Sequence, residues 1–511
     1  MNARSGEVLD GPAPTSQADV TRLARAASEA GRWLAERGRH GMATLLCRLA
    51  DALDEHRQQI VAVADRETAL GEARLNAELT RTCFQLRLLA EVLEEGSYLG
   101  VTIDHGGQTP MGPRPDLRMT SVPLGPVAVF GASNFPLAFS VPGGDTASAL
   151  AAGCPVVAKA HDSHVSTCAL VAEVFQQCLR QLGAPEGAFQ VVYGREAGLQ
   201  LVTDPSIAAV GFTDSLAGGR FLFDLASKRP RPIPFYGELG SVNPLVVTEA
   251  AAQERATEIG TGLGVSMCQG MGQFCTKPGL FLIPDTPSGE LLLTTLVESL
   301  ATVGPGHLLN DGIRTAFVSA VQESASRARV LYEGPAGDRA TAPVLHEVDV
   351  RAAVDVEHSN LLEERFGPFA LVVRYRTLHD VRAALEALPP ALTGTVHVGR
   401  EDDWLPFVTQ ELGKQSGRIA YNGFPTGVVV AWAMHHGGPF PASTAPAATS
   451  VGAEAVKRWL RPVSYQNAPD EAWPDELKDE PANPLPRRVD GRLVLPGATA
   501  AASVPGAETG R

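Results

Sequence analysis

Val156-Val157-Ala158-Lys159, the amphipathic stretch His164 to Leu182, and Phe189-Gln190-Val191-Val192-Tyr193 are the part of the chain whose reading decides the fold. The two flanking runs are apolar and too short to be helices bounded by turn residues. Between them Val165, Val171, Phe175, Leu179 and Leu182 recur at helical spacing. Strand, covering helix and strand in this rhythm make a βαβ unit, whose strands lie parallel. Val127–Gly131 and Ile207–Phe212 extend the series. Leu245–Val247, Leu280–Ile283, Ala370–Tyr375 and Thr395–Val398 form a second one, so two α/β domains are the economical reading.

Working outward, Asp19 to about Tyr98 reads as helices, with Leu45, Leu49, Leu53 and Ile60 on an apolar stripe. Gly106 to Pro126 is rich in Gly and Pro and reads as a loop with an exposed hairpin, suited to a subunit contact. The Gly/Ala/Pro-rich stretch 487–511 is expected to be disordered, and 1–18 to be flexible. The sequence contains no internal repeat.

The 511 residues suit two or three domains, and 44 % hydrophobic with 20 % charged residues supports a large buried core. No apolar run reaches the roughly 18 residues of a membrane span. Met1 to Thr15 lacks the apolar stretch of a signal peptide, so the cytoplasm is the expected location. A net charge of −14 without a Lys/Arg cluster argues against nucleic acid or an anionic membrane as partner. The seven cysteines form no C-x-x-C pair and no Cys/His ligand spacing, which suits reduced thiols.

One cysteine stands apart. Gly272-Gln273-Phe274-Cys275-Thr276-Lys277-Pro278-Gly279 sets it between loop-forming residues just ahead of the apolar run Leu280–Ile283. Such a thiol suits the edge of a cleft. The plain alternative is a small core residue, the class to which Cys154, Cys168 and Cys178 are assigned.

This segment resembles the nucleophile loop of the aldehyde dehydrogenase superfamily, and four others match in the same order. Gly131-Ala132-Ser133-Asn134-Phe135-Pro136 resembles the loop with the oxyanion-hole asparagine, here Asn134. Val157-Ala158-Lys159-Ala160-His161 resembles the strand end whose lysine, Lys159, holds the cofactor ribose. Gly237-Glu238-Leu239-Gly240 resembles the general-base motif, with Glu238 as base and Gly240 counted among the cofactor-binding residues. Glu363-Glu364-Arg365-Phe366-Gly367-Pro368 supplies the ribose glutamate, Glu364, and the phenylalanine beside the nicotinamide, Phe366. The similarity runs from roughly Arg22 to Asn467.

The resemblance implies an α/β fold with a Rossmann-type cofactor domain (19–105 and 127–245) and an α/β catalytic domain (246–450). Segments 106–126 and 451–470 become oligomerisation and bridging elements of a homodimer or homotetramer. It also implies the reaction, with which the chemistry of the residues agrees. A thiolate at Cys275 adds to an aldehyde carbonyl, and the resulting tetrahedral oxygen carries negative charge. The Asn134 amide and the Cys275 backbone N–H are the expected donors to it, one such donor being worth ~3 kcal/mol. After hydride loss to the nicotinamide, water hydrolyses the thioester with Glu238 as base. A surface glutamate in a turn is the plain alternative for Glu238.

No G-x-G-x-x-G is present. Gly211-Phe212-Thr213-Asp214-Ser215 instead ends a strand and opens a helix whose N–H groups can hold phosphate. Ser215 keeps the family position, whereas Asp214 stands where the family has glycine. A carboxylate there is unfavourable unless it turns away or caps the helix. NAD and NADP both remain open, because Asp162 favours two free ribose hydroxyls and Arg195 a 2′-phosphate.

Finer resemblance is to the α-ketoglutarate semialdehyde (2,5-dioxovalerate) dehydrogenases, near the fatty-aldehyde enzymes. It rests on Phe130–Pro136, Phe274–Gly279, Asn422–Gly427, His436-Gly437-Gly438-Pro439-Phe440-Pro441 and Arg461–Asn467. An oxo-acid substrate calls for a cation, for which Arg81, Arg114 and Arg118 are candidates beside the equally fitting reading of solvated arginines. Phe135 and Phe274 suit either an aldehyde channel or core packing. His435-His436 read as structural, with nothing to complete a ligand set, so no metal is expected. An aliphatic-aldehyde enzyme and a non-catalytic nucleotide-binding relative are the alternatives. A cysteine hydrolase ranks lower, because no histidine is placed by the sequence to pair with Cys275.

Overall fold

The computed structural model describes residues 2–355 and 361–497. Strands Phe189–Val192, Val156–Lys159, Val127–Phe130, Ala209–Thr213 and Phe235–Glu238 lie side by side in that order, all parallel. Successive side chains of a strand point to opposite faces. Val127 and Val129 accordingly join one apolar cluster, while Ala128 and Phe130 join another on the reverse face. Helices cover both faces, as a parallel sheet buried on two sides requires. The chain order reverses between Val127–Phe130 and Ala209–Thr213. The crevice at the carboxyl ends of those two strands is where open α/β sheets bind ligands.

Four helices precede this sheet: Gln17–Glu36, Gly38–Glu55, Arg57–Thr68 and Glu72–Glu95. Leu45, Leu49, Leu53 and Ile60 are buried in one cluster with Phe175 and Phe189. A second sheet has the order Arg329–Glu333, Val344–Asp349, Phe369–Tyr375, Leu280–Pro284, Pro244–Val247, Ala391–His397, Ser416–Tyr421. All its neighbours pair in parallel except the first two.

A third, mixed sheet joins distant parts of the chain. Leu460–Gln466 pairs antiparallel with Leu117–Pro123 over seven residues and forms one edge. Gly107–Thr109 and Gly112–Arg114 form the small hairpin expected within 106–126. The far edge corrects the expectation of a disordered stretch from Arg487. Arg487–Val489 pairs parallel with Thr102–Asp104 and antiparallel with Arg492–Val494. The turn between them, Asp490-Gly491, has both residues at positive φ, the conformation of a tight hairpin. Residues 498–511 of that stretch lie outside the described residues. The beginning of the chain is likewise held rather than loose. Ala3 is buried, Arg4 pairs with Asp65 at 2.8 Å, and Thr15 N–H donates to the Tyr193 carbonyl. Among the described residues no helix is long and apolar enough to cross a membrane.

Candidate active site

Glu238 is the last residue of the edge strand Phe235–Glu238, and its side chain is buried. Its Oε1 lies 2.9 Å from His436 Nε2, and its Oε2 accepts from Ser450 Oγ at 2.9 Å. Burial alone would raise its pKa. The His436 ring and the hydrogen bonds from His436, Ser450 and Cys275 outweigh that and hold it below the ordinary value.

Cys275 sits in the loop leading into Leu280–Pro284, and its Sγ lies 3.7 Å from His436 Nε2. Burial, then the negative charges of Glu238 and Glu364, push the thiol well above its usual range. Cys275 therefore rests as a protonated thiol, and to serve as a nucleophile it would need a base. The loop is clamped from below. Asn243 Nδ2 donates to the carbonyls of Cys275 (2.7 Å) and Lys277 (3.0 Å), while its Oδ1 accepts from Thr393 N–H. Asn243 is fully buried, so losing it would orphan those carbonyls at ~1–3 kcal/mol each. Lys277 adds a second clamp, donating to the carbonyls of Arg365 (3.1 Å) and Phe369 (2.7 Å). That bond ties the Cys275 loop to the segment bearing Glu364 and Phe366.

Asn134 is buried in the loop after the central strand of the first sheet, and its Nδ2 donates to the Gln273 carbonyl at 2.9 Å. The amide nitrogen carries a second N–H beyond the one given to Gln273. Arg74 Nη2 donates to the Asn134 carbonyl at 2.7 Å, and its guanidinium rests on the rings of Phe135 and Phe274. These two rings meet edge to face, 5.1 Å apart.

Residues assigned to the cofactor gather at the carboxyl ends of the first sheet and beside the catalytic group. Lys159 Nζ pairs with Asp162 at 2.8 Å. Arg195 is exposed and opens the helix Arg195–Thr203. Ser215 caps the helix Leu216–Ser227, leaving its first N–H groups open to an anion. Asp214 stays at the helix start, where its Oδ1 accepts from the Ser215 N–H at 2.7 Å. Ser163 N–H donates to His161 Nδ1, so His161 Nε2 carries the proton that reaches Asp214 Oδ2 at 3.1 Å. At Gly240 a Cβ would lie 2.6 Å from Glu364 Oε2, so a larger residue would push that carboxylate from its position. Burial raises the Glu364 pKa to about 7, against the pull of the Lys277 charge. Phe366 is half-buried on the same segment. A phosphate-ready helix end, a cation–carboxylate pair and a carboxylate in a glycine cradle fit a dinucleotide.

Three expectations change. His436, read from the sequence as structural, is the histidine beside Cys275, and with Glu238 it does complete a group of possible metal ligands. It was missed because it lies 161 residues from Cys275 in sequence, though its motif His436–Pro441 belongs to the branch resemblance. Arg114 and Arg118 leave the list of substrate cations. Arg114, in the small hairpin, pairs with Asp490, and Arg118, in the strand Leu117–Pro123, with Asp116 and Asp479 while stacked 3.3 Å over Trp473. Arg81 stays, and Arg74 joins it from about two turns earlier on the same helix.

The sequence profile of the aldehyde dehydrogenase family matches residues 1–457. Alpha-ketoglutaric semialdehyde dehydrogenase 2 of Azospirillum brasilense is 42 % identical over 499 residues, covering 95 % of this chain and 94 % of its own. Alpha-ketoglutaric semialdehyde dehydrogenase of Acinetobacter baylyi is 41 % identical over 462 residues, 87 % of each chain. Among solved structures, gamma-glutamyl-gamma-aminobutyraldehyde dehydrogenase from Burkholderia cenocepacia superposes with a TM-score of 0.79 at 20 % identity, covering 91 % of this chain and 92 % of that one. A Thermus 1-pyrroline-5-carboxylate dehydrogenase, solved with bound NAD, gives 0.77 at 21 % identity, covering 89 % and 86 %. With the profile spanning most of its length and two such relatives, the chain belongs to the aldehyde dehydrogenase family.

Proposed function

We propose that the protein oxidises 2,5-dioxovalerate to 2-oxoglutarate by covalent catalysis at Cys275, with a nicotinamide dinucleotide as the second substrate. The observation that carries this reading is the identity of 41–42 % to two alpha-ketoglutaric semialdehyde dehydrogenases over most of both chains. The site supplies the parts. Glu238, held ionised by His436 and Ser450, takes the thiol proton as Cys275 adds to the aldehyde carbon. The His436 N–H, 3.7 Å from the sulfur, steadies the thiolate. The Cys275 backbone N–H and the free amide N–H of Asn134 hold the developing oxyanion. A bound nicotinamide dinucleotide supplies the hydride acceptor, and Lys159, Ser215, Glu364 and Phe366 are the residues to hold it. Glu238 then draws a proton from the water that hydrolyses the thioester.

The substrate's carboxylate finds its cations on the helix Glu72–Glu95. Arg81 lies over Phe139, whose ring is 6.0 Å from that of His436, and it feels the charge of Glu78 first and then those of Cys275 and Glu238. Arg74 Nε and Nη1 and Arg81 Nη2 are buried with no hydrogen-bond partner in the protein. Buried donors of this kind are costly unless a ligand satisfies them. An aliphatic aldehyde leaves them unsatisfied, which favours the oxo acid.

The test is reduced-nicotinamide absorbance with 2,5-dioxovalerate or hexanal, each offered with NAD and with NADP. Higher kcat/KM for the oxo acid supports the assignment, and higher kcat/KM for hexanal overturns it. The faster dinucleotide shows whether Asp162 or Arg195 dominates at the ribose.

A further inference from the structure

Cys275 Sγ, His436 Nε2 and a Glu238 carboxylate oxygen all lie within 4.8 Å of one another. The sulfur–nitrogen separation is 3.7 Å and the nitrogen–oxygen separation 2.9 Å. In a tetrahedral zinc site, bonds of about 2.3 Å to sulfur and about 2.0–2.1 Å to nitrogen and oxygen set neighbouring ligand atoms about 3.4–3.6 Å apart. The sulfur–nitrogen pair lies close to that spacing and the nitrogen–oxygen pair about 0.5 Å inside it, so a cation would spread the His436–Glu238 contact slightly. One thiol, one imidazole and one carboxylate form a donor set that suits zinc far better than magnesium or calcium, which prefer oxygen alone. Ser450 Oγ, bonded to the other Glu238 oxygen, orients the carboxylate as an outer support. Among the described residues no other three His, Cys, Asp or Glu side chains converge in this way.

We propose that Cys275, His436 and Glu238 form a three-ligand site for a zinc-class divalent cation, and that its occupation switches the enzyme off reversibly. Binding takes the nucleophile and the base together. As the metal–sulfur bond forms, the thiol proton leaves to solvent. The His436 ring proton moves from Nε2 to Nδ1, freeing the Nε2 lone pair for the metal. The cation stays divalent and no electron is transferred. The fourth position is left to water.

Two readouts on the full-length, metal-free protein test this. Titration with Co2+ should give one equivalent with thiolate-to-cobalt charge transfer and tetrahedral visible absorption, both displaced by Zn2+. Micromolar Zn2+ should abolish aldehyde-dependent dinucleotide reduction, chelator should restore it, and Mg2+ should do nothing. Cys275→Ser should remove the charge-transfer band. His436→Gln should weaken the cobalt titration at least about tenfold, since loss of a group that merely supports a ligand already costs about 10- to 100-fold. Tryptophan quenching by the dinucleotide confirms that each variant is folded. An unchanged cobalt spectrum in Cys275→Ser, or an unchanged titration in His436→Gln, overturns the proposal by placing the metal on other groups. The cobalt spectrum needs no aldehyde, so a wrong substrate assignment and a wrong metal site fail separately.

Discussion

The carboxylate of Glu238 meets His436 Nε2 at 2.9 Å, a contact between residues 198 positions apart, and both side chains are almost wholly buried. The imidazole is the largest influence lowering the Glu238 pKa, with burial opposing it. His436→Gln should therefore shift the acid limb of the kcat/KM profile to higher pH, because Glu238 then holds its proton longer. It should also slow turnover by about 10²-fold, the usual worth of a group in the proton-transfer chain. A pH–rate profile of the variant checks both. A slower enzyme with an unmoved acid limb would make His436 a packing residue.

Glu238→Gln removes the base and keeps the shape. The thiol still finds His436, while no carboxylate remains to activate the hydrolytic water. A burst of reduced dinucleotide should survive in stopped flow, followed by a steady rate lower by about 10²- to 10⁴-fold. Loss of burst and steady rate together would show that His436 cannot replace Glu238 in taking the thiol proton.

Arg81→Ala, and separately Arg74→Ala, should raise KM for 2,5-dioxovalerate by about tenfold or more, since a hydrogen bond to a charged group is worth roughly 1.5–3 kcal/mol. KM for hexanal should change little with Arg81→Ala. Arg74→Ala also loosens the Asn134 loop, so a fall in kcat is expected with it alone. Equal effects on both aldehydes would rule out carboxylate recognition.

Glu364 sits at a pKa of about 7, raised by burial against the opposing charge of Lys277. Ribose hydroxyls donate to a carboxylate more strongly than to a carboxylic acid. As pH rises through 7 the group loses its proton, so dinucleotide Kd should fall severalfold between pH 6 and 8. Tryptophan quenching measures it. Glu364→Gln should bind more weakly and show a flat profile, and a wild-type Kd independent of pH would contradict the role.

Much of this architecture is legible in the sequence because its strands are unbroken apolar runs. Val156–Lys159 and Leu280–Pro284 are buried along nearly their whole length, and a run of that kind has few other homes. Ser416–Tyr421 was not found: it is a half-exposed edge strand of mixed residues with no run to show. The hairpin 487–494 carried its own signal in Asp490-Gly491, which the Gly/Ala/Pro-rich stretch beyond it obscured. Cys275, Glu238 and Asn134 stood out through their motifs. His436 and Arg74 did not, because periodicity and spacing report neighbours along the chain. Only the folded chain brings His436 to the sulfur and turns Arg74 towards Asn134.

The central claim is that Cys275 carries the oxidation as a covalent nucleophile. The most direct measurement is a single-turnover reaction of wild type and Cys275→Ala with 2,5-dioxovalerate and saturating dinucleotide, followed at the reduced-nicotinamide band. The account expects rapid reduction by the wild type and none by the variant, with dinucleotide binding preserved in both. Reduction at a normal rate by Cys275→Ala would contradict it.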